Sequence, residues 1–484
     1  MEGLKQILAH EHLALALSLI WSAYILVVAV WILQQRQAPV ATLSWLLSMA
    51  ALPVVGLGVY YLLGPRRLKR QRLRRLRSRR RSLARGNMQR LRKKAPAAPE
   101  RLHQIARLVT ASAHFPVSTA DEVELLVGGA ATFDDILDAI QTARHHIHLE
   151  YYIFEPDQTG LRILQALTQQ AHAGVKVRLL LDALGSKNLG RTHWQALQQA
   201  GGEVALFHPT LARRLRPVIN FRSHRKIVVI DGILGYTGGV NITDEEDKRI
   251  LPNAYHDVHV RLRGPVVGCL QTVFLEDWAY ALDYRRHQIS TRDFNHLLPD
   301  LPDGRQVVQI MASGPDSTTE AIHRVHVAAI QAAHQRLWLT TPYFVPTEAA
   351  MLALTSAALR GVDVRLMVPE RSDSLLVTAA ARSYFDELIV SGVKVFEYHA
   401  SMLHSKTMLA DDMLGIIGTA NFDNRSFRLN YEVCAIAYGE HFAQKLELQF
   451  LEDMRYARRV LYGRRQTFIQ RLGDSIARLC SPLL

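Results

Sequence analysis

Cysteine is scarce in this chain: Cys269, Cys434 and Cys480 are scattered over 484 residues, with no C-x-x-C pair and no Cys/His ligand spacing. That excludes a disulfide framework and a zinc-knuckle type of site, and it fits a reducing compartment. Acidic residues are scarce in the first 94 positions, which hold only Glu2 and Glu11 against 18 Lys/Arg. The rest of the chain has 40 basic and 42 acidic residues, so the formal net charge of +14 belongs to one segment. A nearly neutral body offers no basic stripe for tracking a phosphate backbone, so nucleic acid is not an expected partner. The length suffices for two ordinary domains and an additional segment.

Charge is missing altogether from two runs near the N-terminus, 22 residues at 12–33 and 25 residues at 39–63. Each is long enough to cross a hydrocarbon core as a helix. Trp31, Trp45, Tyr60 and Tyr61 lie toward the run ends, where interfacial aromatics collect. The first run is too long for a signal peptide, and no small-residue cleavage site follows it before the second. Between the runs only Arg36 is charged, whereas residues 66–94 carry 16 Lys/Arg and no acid. The positive-inside rule then predicts a multi-pass membrane protein with the N-terminus and everything after the second span in the cytoplasm. The basic segment suits either an amphipathic helix on an anionic leaflet or a solvated stop-transfer flank. The A-P-A-A-P stretch at 95–99 reads as a linker.

From about residue 120 the sequence says the same thing twice. Ala139-Ile140-Gln141 returns as Ala329-Ile330-Gln331, IHLEYYIF at 147–154 as LWLTTPYF at 337–344, and AGVKVRLL at 173–180 as RGVDVRLM at 360–367. Strands alternate with amphipathic helices in each copy, which predicts an α/β fold: two repeated α/β/α halves, each with a mainly parallel core sheet, related by a pseudo-twofold axis. The expected organisation is two transmembrane helices over 1–65, a basic juxtamembrane segment and linker over 66–119, a first half over 120–300 and a second over 301–484.

The chemistry sits in the most specific repeat. His224-Arg225-Lys226, Asp231, Gly238-Gly239 and Asn241 recur with every spacing intact as His404-Ser405-Lys406, Asp411, Gly418-Thr419 and Asn421. A lone H-x-K-x4-D arises by accident in a few per cent of chains this long, at order of magnitude, whereas two copies with matching Gly and Asn offsets do not. His and Lys two apart on a strand share a face, and the apolar run after them drives the strand into a core. Asp231-Gly232 and Asp411-Asp412 read as hairpin turns that return Asn241 and Asn421 toward the histidines.

Cleaving a phosphodiester requires a nucleophile, a proton donor for the leaving alcohol and positive charge on the non-bridging oxygens. Two imidazoles supply the first pair of roles near neutral pH. Lys226, Lys406, Asn241 and Asn421 supply the phosphate contacts, and no metal or other cofactor is required. Each imidazole needs its second nitrogen held, and each half has a carboxylate for this in an equivalent place: Asp257, 33 residues after His224, and Glu432, 28 after His404. Asp231 and Asp411 complete the catalytic motif, and their position at the turns suits bracing better than phosphate contact. His145, His146 and His148 could suggest a metal, but alternation makes His146 and His148 one face of a strand.

The doubled motif resembles the phospholipase D superfamily. Within it, the stretches LPVVGLGVYYLLG, LEYYIF, NFRSHRKIVVIDG, ASGPDS, TTPYFVP, GTANFDNRSFRLNYE and the terminal SPLL are similar to the bacterial cardiolipin synthases over nearly the whole chain. The resemblance implies phosphatidyl transfer from one phosphatidylglycerol to another, with release of glycerol and no metal. It implies His224 as the nucleophile, His404 as the acid and then the base, and Lys226, Lys406, Asn241 and Asn421 as phosphate ligands. Phosphatidylglycerol and anionic membrane lipids become the expected partners, with an oligomer open. Gly239 and Thr419 stand where the wider superfamily often has Ser, which leaves the part played by a hydroxyl there open. A hydrolytic phospholipase D, or a transferase taking phosphatidylethanolamine as donor, is the alternative enzyme, and a membrane-tethered scaffold the non-enzymatic one.

Overall fold

The computed structural model describes residues 2–34, 39–51, 56, 60, 84–207, 221–283, 297–317, 319–463 and 467–481. The chain divides into two compact units, Met1–Gln71 and Arg72–Leu484.

The first unit contains helices Glu2–Leu33 and Pro39–Ala51, with Tyr60 packed edge-on against Trp31 and Trp45. Side chains are described for only part of each uncharged run, and among the described residues no helix is long and apolar enough to cross a membrane. The two expected spans are therefore not shown. Most of the basic segment, 66–83, lies outside the described residues; its end forms helix Ala84–Lys93.

The second unit holds both repeats. In the first half a seven-stranded sheet runs in the order 122–127, 258–263, 234–238, 227–230, 146–151, 176–182, 203–207. The second half repeats this order as 306–313, 432–438, 414–418, 407–410, 336–340, 363–369, 394–398, with Ser118–Ala120 and Ala457–Arg459 added at the edges to make nine strands. The expectation of a mainly parallel sheet is corrected. Only His146–Tyr151 with Lys176–Asp182, and that strand with Glu203–Phe207, pair in parallel in the first sheet, and the other four pairings are antiparallel. Helical crossovers make the parallel pairs, while the motif enters as a hairpin, which can only be antiparallel.

The motif strand Ile227–Ile230 shows why the halves are layered. Val228 and Ile230 pack with Phe133, Ile140, Ile163 and Leu167 from the helices on one face. Ile227 and Val229 pack with Leu270, Phe274 and Trp278 of helix Val267–Asp283 on the other. A run of four β-branched residues suits a strand buried on both sides.

Past the A-P-A-A-P stretch the chain enters the core of this unit. Helix His103–Ala113 buries Ile105, Ala106 and Val109, and Ser118–Ala120 pairs with Gln306–Ser313 of the second half. His146 and His148 are buried, and a ring nitrogen of each lies within hydrogen-bond distance of the Gln271 carboxamide.

Candidate active site

The His-x-Lys triplets precede their strands rather than lying in them, and each is held by the other half. The backbone N–H of His224 donates to the Tyr431 carbonyl and that of Tyr431 to the Arg222 carbonyl. Reciprocally, the N–H of His404 donates to the His256 carbonyl and that of His256 to the Met402 carbonyl. The two sets of bonds exchange partners as a twofold relation requires. They bring the segments before Asp257 and Glu432 alongside the opposite histidines.

That exchange corrects the pairing the sequence suggests. Asp257 does not face His224 of its own half; its Oδ2 is 2.6 Å from Nδ1 of His404. Glu432 Oε2 lies 3.0 Å from Nδ1 of His224, which also lies 3.0 Å from the Thr419 carbonyl. With Nδ1 engaged on an acceptor, Nε2 of each ring is the atom left for chemistry. Lys226 Nζ donates to the His224 carbonyl over 3.1 Å, and Lys406 Nζ donates to that of His404.

All four motif side chains are buried, and their electrostatics are mutual. Burial lowers the pKa of His224, against the pull of Glu432. Burial, with Lys406 close by, lowers that of His404 to about 4. Lys226 falls to about 7 through burial and the positive charge of Lys406, and burial also lowers Lys406. Burial would raise both orienting carboxyls, but Lys406 and His404 hold Asp257 low, and His224 and the Thr419 hydroxyl hold Glu432 low. Desolvation thus sets this free site to hold neutral imidazoles and weakly held ammonium charges until an anion arrives.

The contrast between Gly239 and Thr419 follows from the carboxylates opposite them. A Cβ at Gly239 would lie 2.0 Å from Asp257 Oδ1, so only glycine fits. At the equivalent place in the second half, the Thr419 hydroxyl donates to Glu432 Oε2. It braces an orienting carboxylate, a role no local pattern indicated.

Asn241 and Asn421 are buried beside the motifs, and among the described residues the Oδ1 atom of each has no protein partner. Unused polar capacity in a buried site is costly unless a ligand uses it. The backbone N–H of Asn241 donates to Glu246 Oε1, where that of Asn421 donates to Ser426 Oγ. Glu246 is therefore an acid where the second half has Ser426, and the sequence reading missed it. Its carboxyl is 3.8 Å from Nδ1 of His404, and burial with repulsion from Asp257 raises its pKa to about 8. The run Asp244-Glu245-Glu246-Asp247 right after Asn241 was the available signal. Glu246, Asp257 and His404 bring ligand-type atoms within 4.8 Å of one another. However, the Asp257 oxygen nearest His404 is also 3.7 Å from Lys406 Nζ, so an ammonium and an imidazole already serve the cluster.

Asp231 and Asp411, counted with the catalytic motif, sit at the far ends of the motif strands. The Asp231 carboxylate accepts from the backbone N–H groups of Arg144, His145 and His146, and Asp411 does the same for His334, Gln335 and Arg336. Both are braces between neighbouring strands. Three tyrosines unforeseen in the sequence frame the histidines. Tyr152 lies 4.9 Å from the His224 ring, and Tyr255 and Tyr343 lie 5.7 and 6.5 Å from that of His404, centroid to centroid.

Two oriented imidazoles, two lysines and two asparagines meeting at the seam of a duplicated α/β fold define a phospholipase D-like protein. The family described as "Cardiolipin synthase, PLD-like domain" matches residues 136–253 and 327–454, and that described as "Phospholipase_D-nuclease N-terminal" matches 23–65. A cardiolipin synthase of Geobacillus kaustophilus is 39% identical over 478 residues, covering 96% of this chain and 93% of that protein. Cardiolipin synthase 1 of Bacillus anthracis is 34% identical over 480 residues, covering 96% and 93%. A phosphatidylserine synthase from Haemophilus influenzae shares the fold with a TM-score of 0.60 at 15% identity, covering 79% of this chain and all of that one. The chain belongs to the cardiolipin synthase family.

Proposed function

We propose that the protein is a cardiolipin synthase joining two phosphatidylglycerols into cardiolipin and glycerol through a phosphohistidine intermediate. The observation that carries this reading is the pair of motif histidines, each oriented through Nδ1 by a buried carboxylate, beside two buried lysines. His224 Nε2 attacks phosphorus of the first phosphatidylglycerol. The bond to the headgroup glycerol breaks, and His404 gives its proton to that oxygen. A headgroup hydroxyl of the second phosphatidylglycerol then loses its proton to His404 and attacks phosphorus, the bond to His224 breaks, and cardiolipin leaves. Lys226, Lys406, Asn241 and Asn421 hold the non-bridging oxygens, where charge builds up. The Asp257 carboxylate, held low and set against Nδ1 of His404, favours the imidazolium that this step needs.

Membrane integration belongs to the same proposal. The uncharged runs at 12–33 and 39–63 support it, as do Leu19, Leu26, Val27, Leu43 and Leu47, which face outward from their helices. The charge asymmetry supports a cytoplasmic catalytic part. The test is to incubate purified protein with labelled phosphatidylglycerol and chelator, and to resolve the products. Cardiolipin with an equal amount of glycerol is expected, whereas phosphatidic acid would replace this reading with a hydrolase.

A further inference from the structure

Helix Phe468–Leu479 is oriented the wrong way round for a helix of a soluble domain. Phe468, Ile469, Leu472, Ile476 and Leu479 fall within about 100° of its circumference, and all five are exposed, Ile469 at 79% and Leu479 at 80%. On its opposite side Ala477 is buried. Amphipathic helices normally turn their apolar stripe inward. The rotation here is locked by Arg478, whose guanidinium lies 4.3 Å from the Tyr384 ring and donates to the Ser383 carbonyl and to Glu387.

The patch does not end with this helix. It packs against Leu375–Arg382, which begins with exposed Leu375 and Leu376, and Leu461 and Tyr462 upstream are exposed as well. Two residues before Leu375, the Asp373 carboxylate accepts from the Tyr343 hydroxyl at 2.7 and 2.8 Å. Tyr343 is one of the two tyrosines whose rings lie beside that of His404. The apolar surface therefore begins at the rim of the catalytic site. The segment that carries this helix is basic: residues 455–479 contain seven arginines and one acid, Asp474, with Arg458, Arg459 and Arg471 exposed. Two copies of such a face would repel one another, whereas an anionic lipid surface matches both its apolar and its basic character.

We infer that helix Phe468–Leu479 and the start of helix Leu375–Arg382 form a docking surface for an anionic bilayer, setting the Tyr343 rim of the site against the membrane that holds the substrates. The inference rests on the reading of the protein as a lipid phosphodiester transferase, and the test separates the two. Full-length protein carrying Cys480→Ser and Ile476→Cys is labelled with an environment-sensitive fluorophore and reconstituted into phosphatidylglycerol nanodiscs. The label should be quenched by nitroxide-bearing lipid and protected from iodide. The I469D/I476D variant should lose at least ten-fold in turnover of bilayer phosphatidylglycerol and stay within two-fold of wild type on a monodisperse short-chain analogue, which also reports folding. Iodide access without nitroxide quenching, iodide protection that appears only as protein concentration rises, or equal loss on both substrates would overturn the docking surface. If unmodified protein turned over neither substrate, the functional reading would fail, while the label would still report contact with lipid.

Discussion

At the scale of single residues, the site is governed by what burial does to charge and by how little space the orienting carboxylates leave. Gly239 is the sharpest case, because a methyl there overlaps the Asp257 carboxylate and must push it away from His404. Gly239→Ala should leave a folded protein whose kcat is down roughly 100-fold, the scale of loss for a catalytic group misplaced by about an ångström. Activity near wild type would show that Asp257 does not set the position of His404. The lysines make a pH prediction with a definite sign. A lysine with a lowered pKa loses its charge above that value, so the free enzyme's grip on an anionic phosphate should weaken above about pH 7, where Lys226 titrates. Once bound, the phosphate holds the ammonium protonated. Hence kcat/KM should fall on the alkaline side while kcat stays flatter, and a kcat/KM flat from pH 6 to 9 would contradict the assignment.

At the scale of elements, the motif hairpin shows what a local pattern can and cannot reveal. The turn was legible in the sequence: Asp231 and Gly232 adopt left-handed backbone, φ 53° and 69°, and Asp411 matches at 52°. The repeat, the motif and the strands that carry it were legible for the same reason, since period and spacing are written within a few residues. The exchange of Asp257 and Glu432 between halves was not, because it depends on closure between segments 147 and 208 residues apart. Glu246 and the three tyrosines were missed because a local pattern, even the acidic run around Glu246, does not record which ring a side chain will face. The function of the motif aspartates is testable at this scale. Asp231→Ala removes a charged acceptor from three backbone N–H groups and places Ala in left-handed backbone, which should cost about 1–3 kcal/mol. Its folded pKa is depressed, because backbone N–H bonds outweigh burial, which alone would raise it. The stabilisation is therefore full above the unfolded carboxylate value near 4 and is lost as pH falls through the folded one. Denaturation midpoints of wild type and variant should differ at pH 7 and converge in acid, and a constant gap would assign the loss to backbone strain instead.

At the scale of the whole molecule, the halves are not two catalysts side by side. Each histidine takes its backbone anchor and its orienting carboxylate from the opposite half, and Arg225 strengthens the seam by donating to the carbonyls of Glu432 and Ser313. One hydrophobic cluster runs through both halves, from Ile227 and Val260 to Ile416 and Val433, so the seam is part of a core and not a hinge. All the site's groups come from a single chain, and this gives a test that does not depend on assigning a role to either histidine. Chains carrying His224→Ala and chains carrying His404→Ala should each be inactive. Co-reconstituting them in one membrane should leave the mixture inactive, because every site in it lacks one imidazole. If the halves instead paired between two copies, some assemblies would gather an intact His224 and an intact His404 into one site, and turnover would return as the variants were mixed. Continued inactivity, with both variants shown to be folded and to share one bilayer, is the outcome that a site closed within one chain requires.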